Sequence, residues 1–180
     1  KQAKWISSLA KDHNKKLIIN LDWMERSRNS LLGEGWSFRE PNVKTRFLAD
    51  ALEICKLYNP DYLNLGVEVN FYGLIDQKGF KDFVQTYNAT KLRINQRYTK
   101  TKVSVTFQVE LLLGRMRDWE KNASLEIIDA FGGNLDILAL STYPHEDENG
   151  KLDIQLLSSF LKSYDKNFGI FEVSVPTNSH

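Results

Sequence analysis

An α/β fold of parallel strands joined by helices is what this sequence predicts, on three observations. Short apolar, β-branched runs alternate with longer stretches whose apolar residues recur every three to four positions. The strand-like runs begin at Leu17, Tyr62, Val103, Leu135 and Phe168, 32 to 45 residues apart, which leaves room for a helical crossover each time. Connections entering the strands are tight, and most of those leaving them are long.

The elements follow in order. Residues 4–10 have helical spacing before the first strand, 17–23 (LIINLDW). Residues 43–57 (VKTRFLADALEICKL) read as a helix with Phe47, Leu48, Ala51, Leu52 and Cys55 on one stripe, and Tyr58-Asn59-Pro60-Asp61 stops it. The second strand is 62–70, followed by a helix over 80–97 carrying Phe80, Phe83, Val84, Tyr87 and Leu92. Residues 103–109 (VSVTFQV) alternate as a half-buried strand does. A short helix over 124–131 ends at Gly132-Gly133, and 135–142 (LDILALST) is the fourth strand. A helix over 152–164 turns Leu156, Leu157, Phe160 and Leu161 inward, and 168–175 (FGIFEVSV) is the last strand.

The loops separate two architectures. Turns into strands span 13–16, 59–61, 132–134 and 165–167, whereas loops out of strands span 24–42, 71–79, 110–123 and 144–151. Barrels and open α/β sheets both place their sites on long loops at the C-terminal strand ends. A dinucleotide-binding sheet calls for G-x-G-x-x-G directly after a strand; Gly33-Glu34-Gly35 lies deep in a loop and lacks the third glycine. No phosphate-binding G-x-x-x-x-G-K-[ST] occurs. The expectation is therefore a (β/α)8 TIM barrel. A full barrel takes roughly 250 residues and eight strands, so residues 1–180 are expected to form an incomplete barrel, one partial domain that begins in a helix and ends just past a strand.

Composition narrows the function classes. The net charge of +1, with both signs interspersed, gives no electrostatic case for nucleic acid or an anionic membrane. No apolar run approaches the roughly 20 residues of a membrane span. One cysteine, Cys55, excludes an internal disulfide and leaves the redox compartment open. The three scattered histidines and this cysteine have no metal-ligand spacing, so neither metal nor cofactor is expected. Ser141-Thr142 lacks a nucleophile elbow. Lys91, Arg93, Arg97, Lys100 and Lys102 read as a solvated face.

Two glutamates stand out. Glu68 follows Leu63, Leu65 and Val67, in phase with Asn64 and Gly66, and on this reading points into the barrel near its active face. Glu172 interrupts the last apolar strand at the matching place, three βα units later. A buried carboxylate is costly unless paired or hydrogen-bonded, so each could be a salt-bridged core residue. Together they fit retaining glycosidase chemistry, in which two carboxyl groups about 5–5.5 Å apart act as acid/base and nucleophile. Asn20, Asp22, Gln108, Glu110, Thr142, Tyr143 and His145 also fall at strand ends.

The chain resembles the clan of retaining (β/α)8-barrel glycoside hydrolases, which carry an acid/base glutamate after strand four and a nucleophile glutamate at strand seven. The resemblance makes Glu68 and Glu172 those two residues and the five strands numbers three to seven. The segment LDILALSTYP is similar to strand six of such enzymes, arabinogalactan endo-galactanases and cellulase-like members among them, and implies that Tyr143 hydrogen-bonds the nucleophile. It implies a carbohydrate substrate and a secreted or cell-surface setting. One departure is plain: the clan places asparagine before the acid/base, and here that residue is Val67. Asn70 is the candidate to serve instead.

Trp23, Trp36 and Trp119 lie at a strand end or in long strand-to-helix loops, where flat aromatic faces suit sugar rings, or anchor the loops by packing. The expected substrate-binding set is Asn70, Trp23, Asp22, Gln108, Glu110, His145, Trp36 and Trp119. The leading function is hydrolysis of a β-linked polysaccharide or oligosaccharide. The alternatives are a carbohydrate-binding or interaction module on a barrel without catalysis, favoured by Val67, and another barrel enzyme.

Overall fold

The computed structural model describes residues 2–33, 35–119, 122–164 and 167–174. In chain order the elements are α1 (Gln2–Asp12), β1 (Ile18–Asn20), α2 (Pro41–Tyr58), β2 (Tyr62–Asn64), α3 (Val69–Ile75) and α4 (Gln77–Arg97). Then come β3 (Lys102–Ser104), β4 (Thr106–Gln108), α5 (Val109–Leu112), α6 (Glu126–Asp129), β5 (Leu138–Thr142), a 3-10 turn (Pro144–Glu146), α7 (Ile154–Ser163) and β6 (Phe168–Val173).

The strands are parallel, in the orders β1-β2-β3 and β4-β5-β6. Val105 separates β3 from β4, yet both belong to one sheet path. The Leu65 amide donates to the Ser104 carbonyl (2.8 Å) and the Thr106 amide to the Gly66 carbonyl (3.0 Å), which carries the β2 edge onto β4. The result is a five-position arc with helices on its outer face, the α/β arrangement of an incomplete (β/α)8 barrel. The Tyr62 and Phe171 rings meet edge-on at 5.4 Å, joining the second strand position to the last.

Local chemistry sets the helix ends. Pro41 opens α2, and Asn59 closes it in the left-handed conformation, donating its N–H to the Cys55 carbonyl. Asp76 caps α4 by accepting from the Gly79 amide, and Asp153 caps α7 by accepting from the Leu156 amide. Between sheet and helices lies the core: Leu63, Val103, Phe107, Leu138 and Leu140 against Phe47, Ala51, Cys55, Phe83, Tyr87, Ile94 and Phe131. Leu92, placed with the apolar residues of its helix, and Leu156, expected to face inward, are exposed.

The strands are shorter than the apolar runs imply. Residues 62–70 yield strand only to Asn64; Val69 already begins α3, in a stretch expected to be strand and then loop. A continuous buried run does not tell strand from buried helix by periodicity. In 17–23 pairing stops at Asn20. In 135–142 the start is delayed to Leu138, because the Asp136 carboxylate takes the Val103 amide (2.8 Å) that a ladder carbonyl would otherwise accept from. Residue 175 lies outside the described residues. Among those described, no helix is long and apolar enough to cross a membrane.

Candidate active site

Three carboxylates, one phenol and two arginines converge at the C-terminal ends of the strands. Glu68, Glu172, Glu146, Tyr143, Arg26 and Arg28 line one cavity of about 480 Å³, with Gln108, His145, Phe71, Trp119, Met116, Ser27 and Ser174. That volume suits a small ligand.

Glu68 gets there through an irregular backbone. It is not a strand residue, as strand phase suggested, but the N-cap of α3 in the left-handed conformation (φ 52°). Its amide donates to the Thr106 hydroxyl (2.8 Å), which anchors the turn to β4. The residue is 4% exposed. Its Oε1 accepts from the Ser141 hydroxyl (3.0 Å) and its Oε2 from Arg28 Nε (2.9 Å). Arg28 also grips both oxygens of Asp22, at 2.8 and 2.9 Å. Burial raises the Glu68 pKa above its ordinary value; the charge of Arg28 and hydrogen bonds from Tyr143 and Ser141 oppose the rise, and the charge of Glu172 adds to it.

Glu172 is delivered by a second irregularity. The β5–β6 register runs Leu140↔Ile170 and then Ser141↔Glu172, so Phe171 is an extra residue. Without this bulge Ser141 would face Phe171, and Glu172 would fall opposite Thr142 on the other face. Bulges re-aim side chains in this way. On the other side Ser141 pairs with Gln108. Gln108, Ser141 and Glu172 therefore form one row across three adjacent strands. Tyr143 closes the site: burial first, then hydrogen bonding to Glu172 and the charge of Glu68, push its hydroxyl far above the ordinary phenol range.

The remaining expected residues divide. Gln108, His145 and Trp119 line the cavity, and Trp119 stands edge-on to Phe71 at 4.7 Å. Asn70 does not line it: the side chain is fully buried, its Nδ2 donating to the Gln108 carbonyl and its Oδ1 accepting from the Gln108 amide, both at 3.0 Å. Glu110 is buried behind the wall, where its Oε1 accepts from the Thr142 hydroxyl (2.6 Å) and the Tyr143 amide (3.0 Å); it positions Tyr143. Trp23 is a core residue. Its indole N–H donates to the Leu65 carbonyl (2.9 Å), and its ring packs on Phe38, Tyr72 and Phe83. Trp36 and Asp22 line a separate, mostly apolar cavity of about 150 Å³, and Asp22 reaches the site only through Arg28.

Arg28, Ser141 and Glu146 are the functional candidates that sequence reasoning missed. Arg28 sits in the long loop after β1 at φ 60°, with its Glu68 partner 40 residues away, and nothing local marks the pairing. Strict alternation through LDILALST would have flagged Ser141 as inward-facing, and adjacency to His145 would have flagged Glu146. Among the described residues no group of three or more His, Cys, Asp or Glu could hold a metal ion.

No family model matches this chain, and no curated protein matches it in sequence. Solved structures resemble it in fold. The GH53 catalytic domain of Ignisphaera aggregans superposes with a TM-score of 0.68 at 16% identity, over 97% of this chain and 52% of that one. A GH113 β-1,4-mannanase superposes with a TM-score of 0.51 at 15% identity, again over 97% of this chain and 52% of that one. The chain thus spans about half the length of the solved chains it resembles. At this identity the likeness establishes the fold: a parallel α/β arc like part of those glycoside hydrolase barrels.

Proposed function

We propose that this chain carries the catalytic face of a retaining glycoside hydrolase acting on a β-linked polysaccharide or oligosaccharide. One observation carries the reading: Glu68 and Glu172 line one cavity, the charge of Glu172 is felt at Glu68, and Tyr143 hydrogen-bonds to both. Burial favours the protonated form of Glu68, which suits a general acid. In the first step Glu172 attacks the anomeric carbon while Glu68 gives its proton to the departing glycosidic oxygen, leaving a glycosyl ester on Glu172. In the second, the Glu68 carboxylate takes a proton from a water that attacks the same carbon and releases Glu172.

The test is chemical. Glu172→Ala should abolish turnover, and a 2-deoxy-2-fluoro glycoside should label Glu172 in the wild-type chain. Glu68→Ala should retain the first step with a good leaving group, and azide should intercept the ester as a glycosyl azide. Labelling elsewhere, or an unaltered Glu68→Ala enzyme, removes the assignment.

A second reading has its own support. Arg28 Nε holds Glu68 Oε2 at 2.9 Å, which favours a carboxylate over an acid, and Val67 occupies the position the resemblance gives to asparagine. A sugar-binding module without catalysis would show binding and no turnover to lose.

A further inference from the structure

Gln108 ends β4 with its amide buried at the cavity wall. It is 1% exposed. Asn70 fixes its backbone on both sides, through the Gln108 amide and the Gln108 carbonyl. The orientation of its side-chain amide follows from chemistry. Nε2 donates to Glu146 Oε2 at 2.7 Å, and an ionised carboxylate accepts but does not donate, so the opposite flip would set oxygen against oxygen. That leaves Oε1 buried and without a hydrogen-bond partner. An unpaired amide oxygen in such a place is unfavourable, and a ligand donor that reaches it removes the penalty.

The row Gln108–Ser141–Glu172 places this acceptor on the same wall as the carboxylates. Neither nearby alternative can do its work. Val67 is apolar and buried, and both ends of the Asn70 amide are committed to the Gln108 backbone.

We infer that Gln108 is a specificity-determining residue whose Oε1 accepts a hydrogen bond from one ring hydroxyl of the sugar held between Glu68 and Glu172. This rests on the glycoside hydrolase reading above. Asn70 is then a positioning residue, setting the β4 terminus so that the amide faces the cavity, and Glu146 fixes which end of the amide is presented. A site built to bond a hydroxyl discriminates strongly against a substrate that lacks it, because the buried acceptor is left unpaired again.

The experiment uses 4-nitrophenyl glycosides of β-linked oligosaccharides of galactose, glucose and mannose with the full chain. For the sugar turned over best, kcat/KM is compared with that of each monodeoxy analogue, in wild type and in Gln108→Met. Wild type should reject one monodeoxy analogue by on the order of 10–100-fold, and Gln108→Met should lose that preference. The ratio is taken within one sample, so partial misfolding of a variant cancels. Should Gln108→Met fail to fold, Glu146→Leu, which frees the same amide, must show the same loss. An unchanged ratio in the variant overturns the inference alone. Absence of turnover by wild type on every parent glycoside overturns the hydrolase reading and this inference with it.

Discussion

Replacing Arg28 with methionine should destabilise the protein at neutral pH, and the effect should disappear in acid. Methionine keeps the apolar stem and removes the guanidinium, and both residues are non-glycine, so the left-handed backbone at φ 60° contributes equally to each. The Arg28–Glu68 contact is 2.9 Å, and the two side chains are 16% and 5% exposed. With charge centres about 4 Å apart and an effective dielectric near 20, their attraction is about 4 kcal/mol. The variant recovers part of this, because the abandoned carboxylate can protonate or admit water. A net loss of about 2 kcal/mol at pH 7 is expected, in the range for hydrogen bonds to charged groups. The Asp22 arm adds little, since that carboxylate is 40% exposed and its pairing is screened.

The sign of the pH dependence is fixed. Burial already raises the folded-state pKa of Glu68, and Arg28 is the leading influence holding it down. Without Arg28 it rises further. A raised carboxyl pKa gives a stability contribution that is present below the unfolded value and is lost as pH rises through the folded value. Below about pH 4, near the ordinary glutamate value, Glu68 is protonated in both proteins and their stabilities should converge. Towards pH 8 they should diverge. Urea unfolding from pH 4 to 8 measures this, with Asp22→Asn as the control for the other arm. Equal stability across the range, or a gap that widens in acid, would refute the ion-pair account.

Two further expectations follow from packing and edges. Trp23→Phe removes the indole N–H that bonds the Leu65 carbonyl and leaves a void among Phe38, Tyr72 and Phe83; it should cost about 1–3 kcal/mol in chemical denaturation, and Trp23→Ala about 3–5, whereas an unchanged midpoint with weakened sugar binding would restore Trp23 as a platform. The isolated 180 residues should self-associate at micromolar concentration, because β6 leaves Phe168, Ile170 and Val173 exposed and α1 leaves Trp5, Ile6 and Leu9 exposed; sedimentation should show Ile170→Lys with Val173→Lys reducing association, and a monodisperse wild-type chain would contradict it.

Much of the fold was legible because it rests on repetition. Helical stripes, β-branched runs and the contrast between tight and long connections each recur, so five strands joined by four crossovers could be counted from Leu17 to Phe168. Element ends were less legible, for reasons that can be named. Asp136 and Asp61 replace ladder carbonyls with side-chain carboxylates at strand starts, Asp61 by accepting from the Leu17 amide at 2.9 Å. VNFYGLI is apolar enough to continue a strand, yet it turns into α3 as soon as Glu68 adopts positive φ. Trp23 reads equally well as a sugar platform or a core residue, since an indole has an apolar body and one polar handle; the Leu65 carbonyl takes that handle from inside.

The site was legible in its chemistry and opaque in its geometry, because two departures from regular structure build it. Glu68 and Glu172 announce themselves as carboxylates in apolar runs. Strand phase happens to predict an inward Glu68, but the residue reaches the cavity by a left-handed turn tied to Thr106. Regular alternation in β6 would turn Glu172 away, and the extra residue Phe171 turns it back beside Ser141. Neither Glu68 nor Phe171 is itself a glycine or proline, so each irregularity persists through the contacts that hold it: Thr106 beneath Glu68, and Tyr62 against the Phe171 ring. The backbone conformations that bring the two carboxylates to one cavity are therefore properties of tertiary packing, and a sequence reading that stops at periodicity finds both carboxylates without the reason they meet.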